Sequence, residues 1–144
     1  MIRHAGLIAM RLGGPWRGVL IEGPAGAGKS DLALRALSQG FSLVADDRVV
    51  LWTSAGRLFG RAPDTLAGLL EVRGVQVVRV TSLPLAEVAL FARCGVPDRI
   101  PDAASVTVLG VEVPLIEIDP REPSAAAKLS RALEVFDAAH KRRI

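Results

Sequence analysis

Residues 23–30 read Gly23-Pro24-Ala25-Gly26-Ala27-Gly28-Lys29-Ser30, which fits the pattern G-x-x-x-x-G-K-[ST] at every fixed position. Glycines in such a turn let consecutive backbone N–H groups point inward and cradle phosphate oxygens. Lys29 brings a compact positive charge to the terminal phosphates, and the hydroxyl of Ser30 is a ligand for Mg²⁺. The segment therefore predicts a phosphate-binding loop whose eight residues contact a nucleotide.

The sequence on either side of this loop supports the prediction. Residues 18–22 read as a buried strand, and residues 31–37 read as an amphipathic helix. Strand, loop and helix in this order form the context that the motif requires. The N-terminus of that helix adds the positive end of its dipole to the bound anion. The alternative is a glycine-rich connection that binds nothing. Such a connection does not require a strand before it and a helix after it.

Composition limits the class of protein. The chain has 144 residues, half of them hydrophobic, which fits one domain with its own core. No apolar run is long enough to span a bilayer, and residues 1–6 lack the apolar stretch of a signal peptide. A single cysteine, Cys94, excludes an internal disulfide and cannot form a zinc site alone. We expect one domain over residues 1–144, in the cytoplasm and without a membrane partner.

The charge pattern argues against nucleic acid as a ligand. The formal net charge of +3 is compatible with phosphorylated ligands or acidic partners. The sequence has no zinc-finger spacing, no RNA-recognition motif and no basic stripe interleaved with aromatic residues. We therefore expect no nucleic-acid partner. The basic residues 141–143 are expected to form a solvated helix end.

Strand patterns outnumber helix patterns in the rest of the chain. Strands are predicted at residues 5–11 and 41–45, and a hairpin over 48–60. The remaining predicted elements are strands at 75–80, 86–92 and 111–118, a short helix at 63–69 and a C-terminal helix at 124–140. A doubly wound fold would alternate strands and helices. We therefore expect an α/β fold whose mixed sheet carries the phosphate loop, with an antiparallel hairpin beside it.

Two adjacent carboxylates, Asp46 and Asp47, follow the predicted strand at 41–45. In proteins with a phosphate-binding loop, an aspartate at the end of a neighbouring strand holds Mg²⁺ or positions the nucleophile. Adjacent side chains leaving a strand point in different directions, so one can face the metal and the other the acceptor. The alternative is a polar turn that opens the following hairpin, since aspartate is common in turns.

Three segments resemble one bacterial enzyme family, HPr kinase/phosphorylase. They are the loop with its helix at residues 23–34, the segment Leu43-Val44-Ala45-Asp46-Asp47, and the segment Leu70-Glu71-Val72-Arg73-Gly74-Val75. Upstream, His4 and Ala5 stand where the family carries a histidine before the loop, and residues 17–21 match the strand between them. The resemblance is good from His4 to Val80 and covers only the catalytic domain, so the chain resembles a short form without the N-terminal accessory domain of longer members.

The resemblance implies a kinase that transfers phosphate from ATP, with Mg²⁺, to a seryl hydroxyl of HPr, the phosphocarrier protein of the sugar phosphotransferase system. Many members also run the reverse reaction, in which inorganic phosphate removes the group as pyrophosphate. The family is typically hexameric, so a homo-oligomer is implied here. Its fold is related to the nucleotide-binding part of phosphoenolpyruvate carboxykinase.

The resemblance also implies roles for matching residues. Lys29 neutralises the transferred phosphate, Ser30 and Glu71 contribute to Mg²⁺ binding, and Asp47 accepts the serine proton. His4 assists phosphate handling. A catalytic arginine of the family maps to Arg99, with Arg93 as the alternative, and Pro120-Arg121 resembles a family loop tied to dephosphorylation but lacks its glycine.

Simpler explanations of the same residues remain open. His4 also fits an ordinary surface or strand residue, Glu71 and Arg73 fit an exposed strand face, and Arg99 fits a loop charge. Two other functions compete with the HPr kinase: a different small metabolite kinase or ATPase with the same loop, and a nucleotide-sensing regulatory module without phosphoryl transfer. The first has no reason to carry the segment at residues 71–74, and the second has no reason to retain Asp47.

Overall fold

The computed structural model describes residues 1–136, which form a mixed sheet, a small separate hairpin and two α-helices. The strands are β1 (Ile2–Arg3), β2 (Ala5–Arg11), β3 (Trp16–Glu22), β4 (Ser42–Ala45), β5 (Val49–Ser54), β6 (Arg57–Arg61), β7 (Leu69–Val72), β8 (Gln76–Arg79), β9 (Ala86–Cys94), β10 (Ala104–Val108) and β11 (Val111–Ile118). The α-helices are α1 (Lys29–Leu37) and α2 (Ala125–Phe136), and a short 3₁₀ helix covers Asp64–Leu66.

The main sheet is mixed, as predicted. Its order is β1-β5-β6-β9-β3-β2-β4, and β11 lies beside the second half of β9 with β10 beyond it. Strands β3, β9 and β11 are parallel to one another, whereas the other pairings are antiparallel. The predicted hairpin at 48–60 is confirmed as β5 and β6. Strands β7 and β8 form a separate two-stranded sheet.

One edge of the main sheet, here called the carboxyl edge, is where β3, β9 and β11 end. The phosphate loop leaves β3 at this edge, directly after Glu22. Because β2 runs antiparallel to β3, its first residue, Ala5, lies opposite Glu22. Strand β4 is antiparallel to β2, so Asp46 and Asp47 follow it at the same edge. Sheet pairing thus brings residues from three separate segments to the mouth of the loop.

The core lies on both faces of the sheet. Alternate residues of β3 divide between the faces, with Val19 and Ile21 on one side and Leu20 on the other, as the period of two in a strand requires. Helices α1 and α2 pack on the first face, where Leu32 and Leu129 are fully buried. The opposite face buries a second cluster that includes Phe91 under the β5–β6 hairpin and β10–β11.

Some elements differ from the prediction and others agree with it. The helix predicted at 63–69 is only the 3₁₀ turn Asp64–Leu66, because Leu69–Val72 pairs with Gln76–Arg79 instead. Strand β10 was not predicted, since its residues are mostly exposed and its pairing with β11 is a tertiary contact. The C-terminal helix is confirmed over Ala125–Phe136; the rest of its predicted span and the basic residues 141–143 lie outside the described residues.

Candidate functional site

The loop at 23–30 has a backbone that few side chains tolerate. Gly26 and Gly28 have φ of 81° and 106°, in the left-handed region that glycine enters without steric cost. Gly28 is also the N-cap of α1, so the unpaired N–H groups of the first helical turn face the loop. The amide of Ala27 donates to the carbonyl of Pro24 at 3.1 Å and closes the turn. This is an anion-binding concavity at a helix N-terminus.

Lys29 lies against the loop rather than in solvent. Its side chain belongs to a residue only 9% exposed, and Nζ donates to the carbonyl oxygens of Gly23 at 2.6 Å and Pro24 at 3.0 Å. The ammonium is therefore held at the mouth of the loop, where a phosphate group would be neutralised. The flexible four-carbon stem lets it turn from the carbonyls to such an anion.

Ser30, Asp46 and Glu71 are joined through the Asp46 carboxylate. The hydroxyl of Ser30 donates to Asp46 Oδ1 at 2.8 Å, and the backbone N–H of Glu71 donates to Asp46 Oδ2 at 3.0 Å. Asp46 is 6% exposed, whereas the Glu71 side chain is exposed. The predicted partners Ser30 and Glu71 are thus brought together by Asp46, which the sequence reasoning had left without a defined role.

The oxygen donors at this point fit a magnesium ion. Mg²⁺ is held by one or two carboxylates together with waters and substrate phosphates, rather than by a cage of protein ligands. A serine hydroxyl beside a buried carboxylate supplies such a partial set. Residues 1–136 contain no cluster of three or more His, Cys, Asp or Glu side chains that could hold a metal by itself.

Asp47 points away from Asp46 and contacts a different set of residues. Its φ of 72° is a strained value for a non-glycine residue, and its carboxylate is half-exposed. His4 Nε2 lies 2.9 Å from Asp47 Oδ1, so the imidazole N–H donates to the carboxylate. Arg48 Nη1 donates to Asp47 Oδ2 at 2.5 Å. The backbone holds the same arrangement, since the N–H of Ala5 donates to the Asp47 carbonyl at 3.1 Å.

The predicted divergence of the two aspartates is therefore present, although a turn produces it rather than an extended strand. Asp46 faces Ser30 and the loop, and Asp47 faces His4 and solvent. Strand β2 pairs with β3 in an antiparallel hairpin, so His4, just before β2, lies at the carboxyl edge beside the end of β3.

The three arginines that the family resemblance singles out, Arg99, Arg93 and Arg121, are all exposed. Arg99 lies exposed in the loop between β9 and β10, and it makes no ion pair or hydrogen bond within residues 1–136. Arg93 is exposed at the end of β9, opposite Glu22. Arg121 is exposed in the turn after β11, and its backbone N–H donates to Asp119 Oδ1 at 3.0 Å. The structure thus shows no contact that joins Arg99 to the other predicted site residues.

An ion pair between Arg3 and Glu22 lies next to the loop. The sequence did not predict this pair, although Glu22 directly precedes the motif. Glu22 is the last residue of β3, and its Oε2 accepts a hydrogen bond from Arg3 Nη1 at 2.7 Å. The other oxygen, Oε1, is buried and accepts no hydrogen bond from the described residues. The Arg3 guanidinium also lies over the ring of Phe91, 5.6 Å from its centroid. This pair fixes the strand end from which the loop starts.

Cys94 forms part of the floor of the loop. Burial raises the pKa of its thiol above the ordinary value, while the charge of Lys29 lowers it and that of Asp119 raises it. The net shift is upward, so the group is a neutral thiol at neutral pH. Cys94 therefore acts as a wall of the loop and not as a nucleophile.

Gly23→Ala is expected to destabilise the protein. A Cβ at Gly23 would lie 2.8 Å from Cys94 Cβ and 3.0 Å from Cys94 Sγ, and such overpacking costs about 1–3 kcal/mol. Thermal denaturation should show a Tm lowered by several degrees, at roughly 2–4 °C per kcal/mol for a chain of this size. Gly6→Ala is the matched control, because its Cβ would meet only the carbonyl oxygen of Ala45 at 3.8 Å. Equal Tm values for the two variants would contradict the contact.

The carboxyl edge thus combines an anion-binding loop, a cation, a partial metal site and a half-exposed carboxylate. This set can bind a nucleotide and accept a proton from a hydroxyl brought beside it. Neither helix within residues 1–136 is long and apolar enough to cross a membrane.

Comparison with known proteins connects these residues to one family. Residues 8–86 match the family model for the HPr Serine kinase C-terminal domain. The chain is 46% identical over 66 residues to the HPr kinase/phosphorylase of Clostridium beijerinckii, and 48% identical over 67 residues to that of Streptococcus thermophilus. Each match covers 46% of this chain and 22% of the relative, so the chain matches about a fifth of the length of these proteins.

A solved structure has the same fold. The HPr(Ser) kinase/phosphatase from Coxiella burnetii superposes with a TM-score of 0.75, covering 99% of this chain and 97% of that chain. The two sequences are 24% identical. The likeness extends the fold assignment beyond the residues that the family model matches, to the strands and helix after residue 86.

Proposed function

This chain belongs to the HPr Serine kinase C-terminal domain family, and from that premise we propose that it is an ATP-dependent serine kinase of an HPr-type phosphocarrier protein. The observation that carries the proposal is the pair of aspartates at the carboxyl edge. Asp46 bonds to Ser30 at the loop, and Asp47 bonds to His4 beside it. A nucleotide site and a candidate base are therefore adjacent on two consecutive residues.

Each residue then has a defined task. When bound, ATP with Mg²⁺ supplies the phosphoryl group and a divalent charge that offsets its negative charge. The loop N–H groups and Lys29 bind and orient the phosphates. Ser30, Asp46 and Glu71 would hold the metal. Hydrogen bonds already hold Ser30 and Asp46 in place without a ligand, and such positioning is the main source of catalysis in phosphoryl transfer.

Asp47 is the proposed base. As the seryl oxygen forms its bond to the terminal phosphorus, the bond to the bridging oxygen breaks and the serine proton passes to an Asp47 carboxylate oxygen. His4 and Arg48 orient that carboxylate by donating one hydrogen bond to each oxygen. In the reverse direction, an oxygen of inorganic phosphate bonds to the phosphorus of phosphoserine, the bond from that phosphorus to the seryl oxygen breaks, and the protonated Asp47 carboxyl gives its proton to the seryl oxygen as pyrophosphate forms. Arg99 is included as a catalytic cation only because its position corresponds to the family arginine.

The wider setting rests on the resemblance as well. We propose a single kinase domain over residues 1–144 that acts in the cytoplasm on an HPr-type protein and assembles as a homo-oligomer, a hexamer in the family pattern. Neither nucleic acid nor membrane has a role in this proposal. The mildly basic net charge of +3 is compatible with an acidic nucleotide and a phosphorylated product.

Glu71→Gln is expected to raise the Mg²⁺ concentration needed for half-maximal activity by about 10-fold or more, since the loss of a group that supports a metal site typically weakens metal binding by about 10–100-fold. The backbone N–H that bonds Asp46 is kept in this variant, so the fold around Asp46 should not change. A Mg²⁺ titration of phosphoserine formation measures the effect. Gln76→Glu, on the neighbouring strand, is the control for surface charge. A titration curve equal to that of the wild type would mean that Glu71 does not contribute to Mg²⁺ binding and is only an exposed strand residue.

One assay separates the proposal from its alternatives. Purified chain is incubated with γ-labelled ATP and Mg²⁺, with and without HPr, and the label is located. Phosphoserine on HPr supports the kinase. Labelled inorganic phosphate at the same rate with or without HPr indicates an ATPase, and ATP that binds without turnover indicates a nucleotide sensor.

A further inference from the structure

We infer that Arg35 is a positioning residue for the nucleotide site, because it holds the turn at residues 119–122 against the phosphate loop. The inference rests on the proposed function, since it concerns how the loop keeps the conformation that binds the phosphates of ATP. Arg35 lies in the last turn of α1, whereas the turn at residues 119–122 follows β11 at the carboxyl edge. The turn lies outside the residues that the family model matches.

The guanidinium of Arg35 makes three hydrogen bonds at once. Nε donates to Asp31 Oδ2 at 3.0 Å, Nη1 donates to the carbonyl of Glu122 at 3.0 Å, and Nη2 donates to the carbonyl of Pro120. The last two bonds join segments 87 and 85 residues apart. The rigid fork of an arginine can bridge two carbonyls and a carboxylate together, whereas the point charge of a lysine cannot reproduce that geometry.

The turn that Arg35 grips is itself well ordered by local bonds. Asp119 Oδ1 accepts the backbone N–H of Arg121 at 3.0 Å, and the Asp119 carbonyl accepts the N–H of Glu122 at 3.2 Å. Lys128, in the first turns of α2, pairs with the Glu122 carboxylate. The bond from the backbone N–H of Arg121 to the Asp119 carboxylate is typical of an Asx turn. These bonds hold the turn at residues 119–122 in one conformation. The hydrogen bonds from Arg35 to the carbonyls of the turn therefore also fix the position of Pro120.

Pro120 in turn covers Gly28. Pro120 is buried, and a Cβ built on Gly28 would lie 3.5 Å from Pro120 Cβ and 3.6 Å from Pro120 Cγ. Gly28 is the N-cap of α1, next to the N–H groups that would bind phosphate. A glycine-rich loop has many accessible conformations. The ring of Pro120 restricts them from one side, so the loop is closer to its binding conformation before ATP arrives.

Arg35→Met should therefore weaken nucleotide binding rather than the chemical step. The variant keeps the apolar stem and removes the three donors. If the binding-competent fraction of the loop falls to about 10–20%, the apparent Kd rises by about 5- to 10-fold. Equilibrium titration with mant-ATP, a fluorescent ATP derivative, and Mg²⁺ measures this change. At saturating ATP, the rate of HPr phosphorylation should change by less than about twofold, because the occupied loop is already ordered.

Two controls make the test specific. Arg131→Met removes an exposed ion pair to Glu134 on α2 and should leave the Kd unchanged, while Arg35→Lys should fall between wild type and Arg35→Met. Pro120→Ala should raise the Kd in the same direction. Because Arg35 and Pro120 act through one contact, the double variant Arg35→Met/Pro120→Ala should lose less than the product of the two single effects.

The outcomes are separable. A wild-type Kd for Arg35→Met, or a double variant whose loss equals the product of the single losses, overturns the inference. If Arg35→Met does not fold, Arg35→Lys and Pro120→Ala carry the test, and wild-type Kd values for both overturn it. A wild-type chain that fails to bind mant-ATP contradicts the proposed function instead, because no loop conformation would then matter.

Discussion

Lys29→Ala is expected to reduce phosphoserine formation on HPr by about 10²–10³-fold, the scale of losing one preorganised electrostatic contact to the transition state. The variant loses the cation at the mouth of the loop. It also loses two hydrogen bonds to the Gly23 and Pro24 carbonyls, so thermal denaturation must show that the fold persists. Initial rates of transfer from γ-labelled ATP measure the effect.

An exposed cation outside the site provides the control for that experiment. Arg131→Ala removes an exposed arginine of α2 that pairs with Glu134, outside both the phosphate loop and the turn at residues 119–122, and should retain most of the activity. A folded Lys29→Ala variant that phosphorylates HPr at the wild-type rate would contradict the proposed role of Lys29 in phosphate transfer. A similar loss in both variants would show that net charge, rather than the position of Lys29, governs the rate.

Asp47→Asn is expected to lower phosphoserine formation by about 10²–10⁴-fold, the usual contribution of a general base. The amide keeps the size of the side chain and its contact with His4, but it cannot take the serine proton. Among residues 1–136, Asp47 forms hydrogen bonds with His4, Ala5 and Arg48 and none with the phosphate loop. The Kd for ATP should therefore stay within about twofold of wild type. Transfer from pyrophosphate should fall in parallel.

Asp46→Asn should behave differently, because Asp46 bridges Ser30 and the Glu71 backbone. Its loss should raise the Mg²⁺ requirement and lower Tm, since a buried group loses a partner. Near wild-type transfer by Asp47→Asn together with an inactive Asp46→Asn would mean that the two roles are assigned the wrong way round. Wild-type activity in both variants would mean that Asp46 and Asp47 only form a polar turn before the hairpin.

Local patterns in the sequence were enough to predict the sheet type and the loop. The alternation of Val19, Leu20 and Ile21 and the glycines at 26 and 28 are signals that act over a few residues. Strand β10 and the pairing of β7 with β8 were missed because they depend on partners rather than on local propensity. Hydrophobic patterns also could not show that β9 is flanked by three strands.

The candidate site could be proposed from the sequence where a motif indicates it, but not where a tertiary contact forms it. Residues 23–30 were proposed from the motif, and Asp47 from its place after a strand and from the family resemblance. The bridging role of Asp46 depends instead on the approach of Glu71 to the end of β4. Arg35 gave no signal at all, since its partners are 85 and 87 residues away and are backbone carbonyls. Such contacts have no residue-type pattern that a single sequence can reveal.

Mass spectrometry of HPr after incubation with this chain, ATP and Mg²⁺ tests the kinase assignment most directly. With the wild-type chain we expect HPr to gain one phosphoryl group, mapped by peptide fragmentation to a serine. In the same time, Lys29→Ala and Asp47→Asn should phosphorylate no more than about 1% of the HPr that the wild-type chain phosphorylates, in line with rates lowered by about 10²-fold or more. HPr that stays unmodified beside a wild-type chain shown to bind mant-ATP, or that carries its phosphate on a residue other than serine, would contradict the assignment.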